Sequence, residues 1–171
     1  MPYDVVFVLN QFFAEMAEAL KATGGHYAQF AGDGLMALYG LKGTPEEGCR
    51  DALRGAADMA ARLDRLNATL KTELAQPLRM GIGIHTGLAI VGTMGPPAQP
   101  NFSAIGDNIN VAARLESETK RLGATLVMSD AVATLAGVDV AGLARHQVEV
   151  RGRERDALTV YAVDRPEQLK V

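Results

Sequence analysis

Three side chains stand where residue type and spacing could do chemistry. Asp33 lies between Gly32 and Gly34, a pattern that puts a carboxylate at the tip of a tight β-hairpin. A carboxylate there is a hard oxygen donor suited to Mg²⁺ or Mn²⁺, although Asp-Gly is also a common turn with no further purpose. Asn110 and Arg114 are four residues apart in a helical stretch, so an amide and a guanidinium share one helix face. Glu118 is four residues further on, and a surface pair with Arg114, worth about half a kcal/mol, is the plainer reading of that arginine.

Common catalytic patterns are absent. The sequence holds no GxxxxGKS/T loop, no GxSxG elbow and no HExxH. The glycines at 81, 83 and 87 are out of register for GxGxxG and sit within a strand. One cysteine and three histidines, His26, His85 and His146, at unrelated spacings make a zinc site a poor reading. His85 reads as a hairpin residue at the boundary of the core rather than a catalytic base, and the methionines read as core filler.

These side chains need a frame. A chain of 171 residues with 48% hydrophobic content suits one globular domain, spanning 1–171. The formal charge of −3 with 22% charged residues gives no electrostatic reason to bind nucleic acid or an acidic membrane. A single cysteine, Cys49, excludes an internal disulfide and fits a reducing compartment. With no stretch long enough to span a membrane, the chain reads as soluble and cytoplasmic.

Periodicity predicts a first helix over about residues 1–23, with a stripe of Val5, Leu9, Phe12, Met16 and Leu20, ended by Gly24-Gly25. Apolar segments 26–31 and 35–39 flank the Asp33 turn. Thr44, Pro45 and Glu47 mark the start of a second helix with a capping box, running to about 71. The alternation from Met80 to His85 predicts a strand, with Leu88–Val91 as its hairpin partner and 94–101 as a loop. A third helix follows over 107–122 with Asp107 as N-cap, then a strand at 124–128 and a final hairpin of 146–150 with 158–163. The layout is α+β, with helices packed on a largely antiparallel sheet.

Three blocks, FAGDGLMALYG (30–40), MGIGIHTGLAIVG (80–92) and FSAIGDNINVAARLE (102–116), appear in order. Each resembles a block of the class III nucleotidyl cyclase domain, the adenylyl and guanylyl cyclase family, whose third block has the form G-D-x-V-N-x-A-A-R-L/M-E. The resemblance runs from about residue 3 to 163 and implies a ferredoxin-like cyclase fold. It implies conversion of ATP to 3′,5′-cyclic AMP and pyrophosphate with two Mg²⁺ or Mn²⁺ ions, on a homodimer with shared sites.

Residue by residue, the resemblance makes Asp33 a metal ligand, Asn110 a ribose contact and Arg114 a partner for charge on the α-phosphate. Arg151 matches a basic residue that meets the β- and γ-phosphates, with Arg153 a second candidate, unless the charged run 151–156 is only a solvated turn. Gln29 and Ser103 fall at the base-reading positions. The family's lysine is replaced by Gln29, whose amide can suit adenine or, flipped, guanine, so ATP is the expectation and GTP stays possible.

The resemblance also places the family's first metal aspartate on a strand ahead of the first helix, where Met1–Asp4 does not replace it. The expectation is therefore an opening strand missing from this chain, and with it one metal ligand. That departure keeps an alternative open: a catalytically inactive cyclase-like module that dimerises and regulates a partner.

Overall fold

A computed structural model describes residues 2–31, 34–151 and 157–171. Its first helix, α1, spans Pro2–Thr23, and the hairpin strands β1 (His26–Ala31) and β2 (Gly34–Leu38) follow. The second helix, α2, covers Pro45–Thr69, and its capping box forms as the sequence predicts. Thr44 Oγ1 accepts from the Glu47 amide at 3.2 Å and the Thr44 amide donates to the Glu47 carboxylate at 2.9 Å.

Helices α1 and α2 pack antiparallel. Val8 clusters with Leu66 and Leu70 at the end of α2, while Met16, Ala19 and Leu20 cluster with Met59 further back. The inward stripe of α1 is thus Val8, Met16 and Leu20, with Phe12 half-buried among them. Val5, predicted to belong to it, is exposed together with Val6 and Phe7, because the first turn runs past the end of α2.

Strands β3 (Ile82–Ile84), β6 (Leu126–Ser129), β8 (Leu158–Val163) and β7 (Ala144–Val148) form a four-stranded sheet in that spatial order. The β6–β8 and β7–β8 pairs are antiparallel, as the predicted final hairpin requires, and β3–β6 is parallel. Between β3 and β6 the chain forms β4 (Ile90–Met94), β5 (Asn101–Ile105) and α3 (Asp107–Leu122). Helix α3 covers one sheet face through Val111 and Leu115 against Val127, Val148 and Val160. The other face packs Leu126, Met128, Tyr161 and Val163 against α2 and the short helix α4 (Asp130–Ala136). Period-two alternation explains the division: in β6, Leu126 and Met128 point one way and Val127 the other. The α+β architecture expected from the sequence is the one observed.

One predicted pairing and one predicted loop need correction. The segment 88–91 is not the hairpin partner of 80–85. Ile90 pairs with Ile105 and Met94 with Asn101, so β4 and β5 form their own hairpin around the proline-bearing loop. The reason lies in Gly81 and Gly83, which serve a helix rather than a hairpin. A Cβ on Gly83 would lie 2.3 Å from the Glu116 nitrogen and 2.4 Å from the Ala112 carbonyl oxygen. The bare strand thus lets α3 lie directly on β3, and α3 becomes the crossover that a parallel pair demands. The predicted loop of 94–101 is shorter than expected, since Met94 closes β4 and Asn101 opens β5. No helix among the described residues is long and apolar enough to cross a membrane.

Candidate active site

Strand β5 brings two of the sequence candidates close together. Ser103 is buried in β5, opposite Gly92 of β4. Two contacts tie β5 to β1, the strand of Gln29: Asn101 Nδ2 donates to the Ala28 carbonyl at 2.7 Å, and the His26 and Phe102 rings meet edge to face at 5.1 Å. Gln29 and Ser103 therefore stand on neighbouring strands.

Helix α3 begins immediately after β5. Its N-cap is Gly106, at φ 144°, a conformation that favours glycine. Asp107, expected to be the cap, is the first helical residue. Its carboxylate belongs to the first turn, where negative charge suits the helix dipole. Asn110 and Arg114 are both exposed and share a face of α3, one turn apart. Arg114 makes the ion pair that its spacing predicts, Nη2 to Glu118 Oε1 at 2.8 Å. Glu118 is buried and also accepts from Arg121, so two guanidinium groups compensate one sunken carboxylate. With its side chain 52% exposed, Arg114 keeps a solvent-facing guanidinium.

Arg151 is exposed at the start of the β7–β8 connection. No hydrogen bond or ion pair among the described residues links it to Ser103, Asn110 or Arg114. Asp33 and Arg153 lie outside the described residues, as does the side chain of Gln29.

A polar network beside α3 was not singled out from sequence. Asn108 Nδ2 donates to the Leu88 carbonyl at 2.8 Å, and Asn108 Oδ1 faces His85 Nε2 at 3.0 Å. His85 Nδ1 lies 2.8 Å from the hydroxyl of Ser129, which is fully buried. Burial pushes the Cys49 thiol up from its ordinary pKa, and a hydrogen bond with Thr86, the residue after His85, opposes the shift. The sequence signal for this network is Gly87, where a Cβ would lie 2.2 Å from Asn108 Nδ2.

A four-stranded β-sheet with helices on both faces, flanked by the β4–β5 hairpin, is the architecture of a nucleotidyl cyclase domain. The chain belongs to the family described as the adenylate and guanylate cyclase catalytic domain, whose model matches residues 1–165. It is 31% identical to adenylate cyclase 1 of Rhizobium meliloti (strain 1021) over 162 residues, covering 95% of this chain and 24% of that protein. It is 32% identical to an adenylate cyclase of Anabaena cylindrica over 171 residues, covering 95% of this chain and 32% of that protein. The chain thus spans about a quarter to a third of the length of these relatives. The crystal structure of the guanylyl cyclase Cya2 superposes with a TM-score of 0.83 at 29% identity, covering 99% of this chain and 86% of that one.

Proposed function

We propose that this domain converts ATP to 3′,5′-cyclic AMP and pyrophosphate, with GTP as a poorer substrate. The observation that carries the reading is the run from β1 across β5 into α3. It gathers the strand of Gln29, the buried Ser103 and the exposed face of Asn110 and Arg114 within one continuous stretch of structure.

In this reading the Gln29 amide and the Ser103 hydroxyl meet the base edge. An amide donates to adenine N1 and accepts from N6, which is the pattern ATP presents. Asn110 holds the ribose, and Arg114 swings from Glu118 towards charge that builds on the α-phosphate. Arg151 reaches the β- and γ-phosphates. The ribose 3′-oxygen bonds to the α-phosphorus, the bond to the β-phosphate bridge breaks, and pyrophosphate leaves with the electron pair. The hydroxyl proton passes to solvent.

Among the described residues no three His, Cys, Asp or Glu side chains gather in one place. By the resemblance of its Gly32-Asp33-Gly34 turn to the cyclase block, Asp33 would be this chain's carboxylate for Mg²⁺ or Mn²⁺, and a hard oxygen donor fits either ion. Bound there, such ions would lower the cost of negative charge on the triphosphate and the attacking oxygen.

The domain acts as a homodimer with shared sites. Ile90 and Ile105 stand opposite each other in the β4–β5 hairpin, 68% and 54% exposed, beside Leu88 at 93%. A cluster of large apolar side chains so open to water favours burial against a second copy.

The test is product formation from ATP and from GTP with Mn²⁺, read by chromatography, alongside nucleotide binding by calorimetry. Asn110→Ala and Arg114→Ala should each lower kcat by about 10²–10³-fold, the usual scale for a lost charge-stabilising donor. Binding of nucleotide without any turnover would instead mark the domain as a non-catalytic regulatory module.

A further inference from the structure

We propose that Asn108, His85 and Ser129 form a clasp that sets the direction of α3, making them positioning residues for Asn110 and Arg114. The proposal rests on the cyclase reading of those two side chains.

The first turn of α3 needs an external anchor. Its N-cap, Gly106, has no side chain and so supplies no side-chain cap hydrogen bond, whereas most helices fix their entry with a serine, threonine or aspartate there. Asn108, in that first turn, takes over the task by bonding sideways. The Leu88 carbonyl can only accept, so the Asn108 atom facing it is the NH₂ group, and the atom facing His85 is the oxygen. His85 Nε2 must then carry a proton to donate. In the neutral ring this leaves Nδ1 as the acceptor for the Ser129 hydroxyl.

Three elements meet in this chain of bonds: the end of β3 through His85, the start of α3 through Asn108, and the β6–α4 junction through Ser129. Ser129 is fully buried at the end of β6, so the clasp ties the helix to the central sheet. Asn110 lies two residues beyond Asn108 on the same turn, and Arg114 one turn further. Catalytic groups lose effect steeply with small displacements, so a slackened first turn should act on the transition state more than on binding. Gly87 completes the device, because only a residue without Cβ lets the Asn108 amide pass.

The experiment has one arm without nucleotide and one with it. In ¹⁵N-labelled protein, long-range nitrogen–proton correlation at pH 8 should show His85 in the Nε2–H tautomer. Only His26 and His146 share that spectrum. Asn108→Ala should abolish the single-tautomer signature and speed amide exchange at 109–111 relative to the rest of α3. Gly87→Ala, which touches neither Asn110 nor Arg114, should reproduce both effects by displacing the amide.

In turnover assays either variant should lower kcat at least about tenfold while KM stays within about threefold. In an Arg114→Ala background the same change should cost less than about threefold, because its target is already gone. An Nδ1–H tautomer in the wild type overturns the clasp. So does an Asn108→Ala protein with unchanged exchange at 109–111, or one with unchanged kcat in an active enzyme. Wild-type protein that shows the tautomer and the exchange effect but makes no cyclic nucleotide upholds the clasp and removes the cyclase reading instead.

Discussion

In the proposed site, Gln29 is the residue on which substrate choice would turn. A glutamine amide can present a donor to adenine N1 or, after a flip, an acceptor to guanine N1–H. A lysine has no acceptor to offer. Gln29→Lys should therefore raise the ATP:GTP ratio of kcat/KM, by about tenfold for one lost hydrogen bond to a buried polar edge. Steady-state kinetics with both nucleotides decide it, and an unchanged or lowered ratio means residue 29 does not face the base. The spacing of Asn110, Arg114 and Glu118 was fully legible in sequence, because i and i+4 positions on a helix need nothing else to become neighbours. Asn108 was not. Its partners are the Leu88 carbonyl and His85, 20 and 23 residues away, and the one trace in the sequence, Gly87, does not name what approaches it.

At the scale of elements, signals carried within a few residues were readable and pairings between distant segments were not. The capping box of α2 and the span of α3 follow from sequence, since each is decided inside its own helix. Helix α4 has only seven residues, too few for its periodicity to show. The glycines at 81 and 83 were misread as hairpin residues because a bare strand face signals close approach without naming what approaches. Gly83→Ala is the direct check on the β3–α3 contact. The added Cβ would meet Glu116 and Ala112 backbone atoms at 2.3 and 2.4 Å, and backbone cannot step aside as a flexible side chain would. A loss of about 1–3 kcal/mol is expected, the usual cost of overpacking. Urea unfolding measures it, and a change below about 0.5 kcal/mol, typical of surface sites, would mean that α3 does not rest on this strand.

At the scale of the whole molecule, the question is whether a site is built within one chain or between two. The exposed apolar residues of the β4–β5 hairpin favour a second copy there, next to the strand that bears Ser103. In a closed two-fold dimer with shared sites, Asp33 of each protomer would face Asn110 and Arg114 of the other, and every site would occur twice. Asp33→Ala and Arg114→Ala homodimers should then each be nearly inactive, chiefly through kcat, because both groups act on the transition state. Mixed in equal amounts and allowed to exchange, about half of the dimers will carry one of each protomer. Such a mixed dimer holds one site with both lesions and one with neither. The mixture should therefore recover about a quarter of wild-type activity. Sites built within single chains could never become whole by mixing, since every chain carries a lesion. With subunit exchange verified by differently labelled protomers, a mixture as inactive as its parents places the whole site within one protomer.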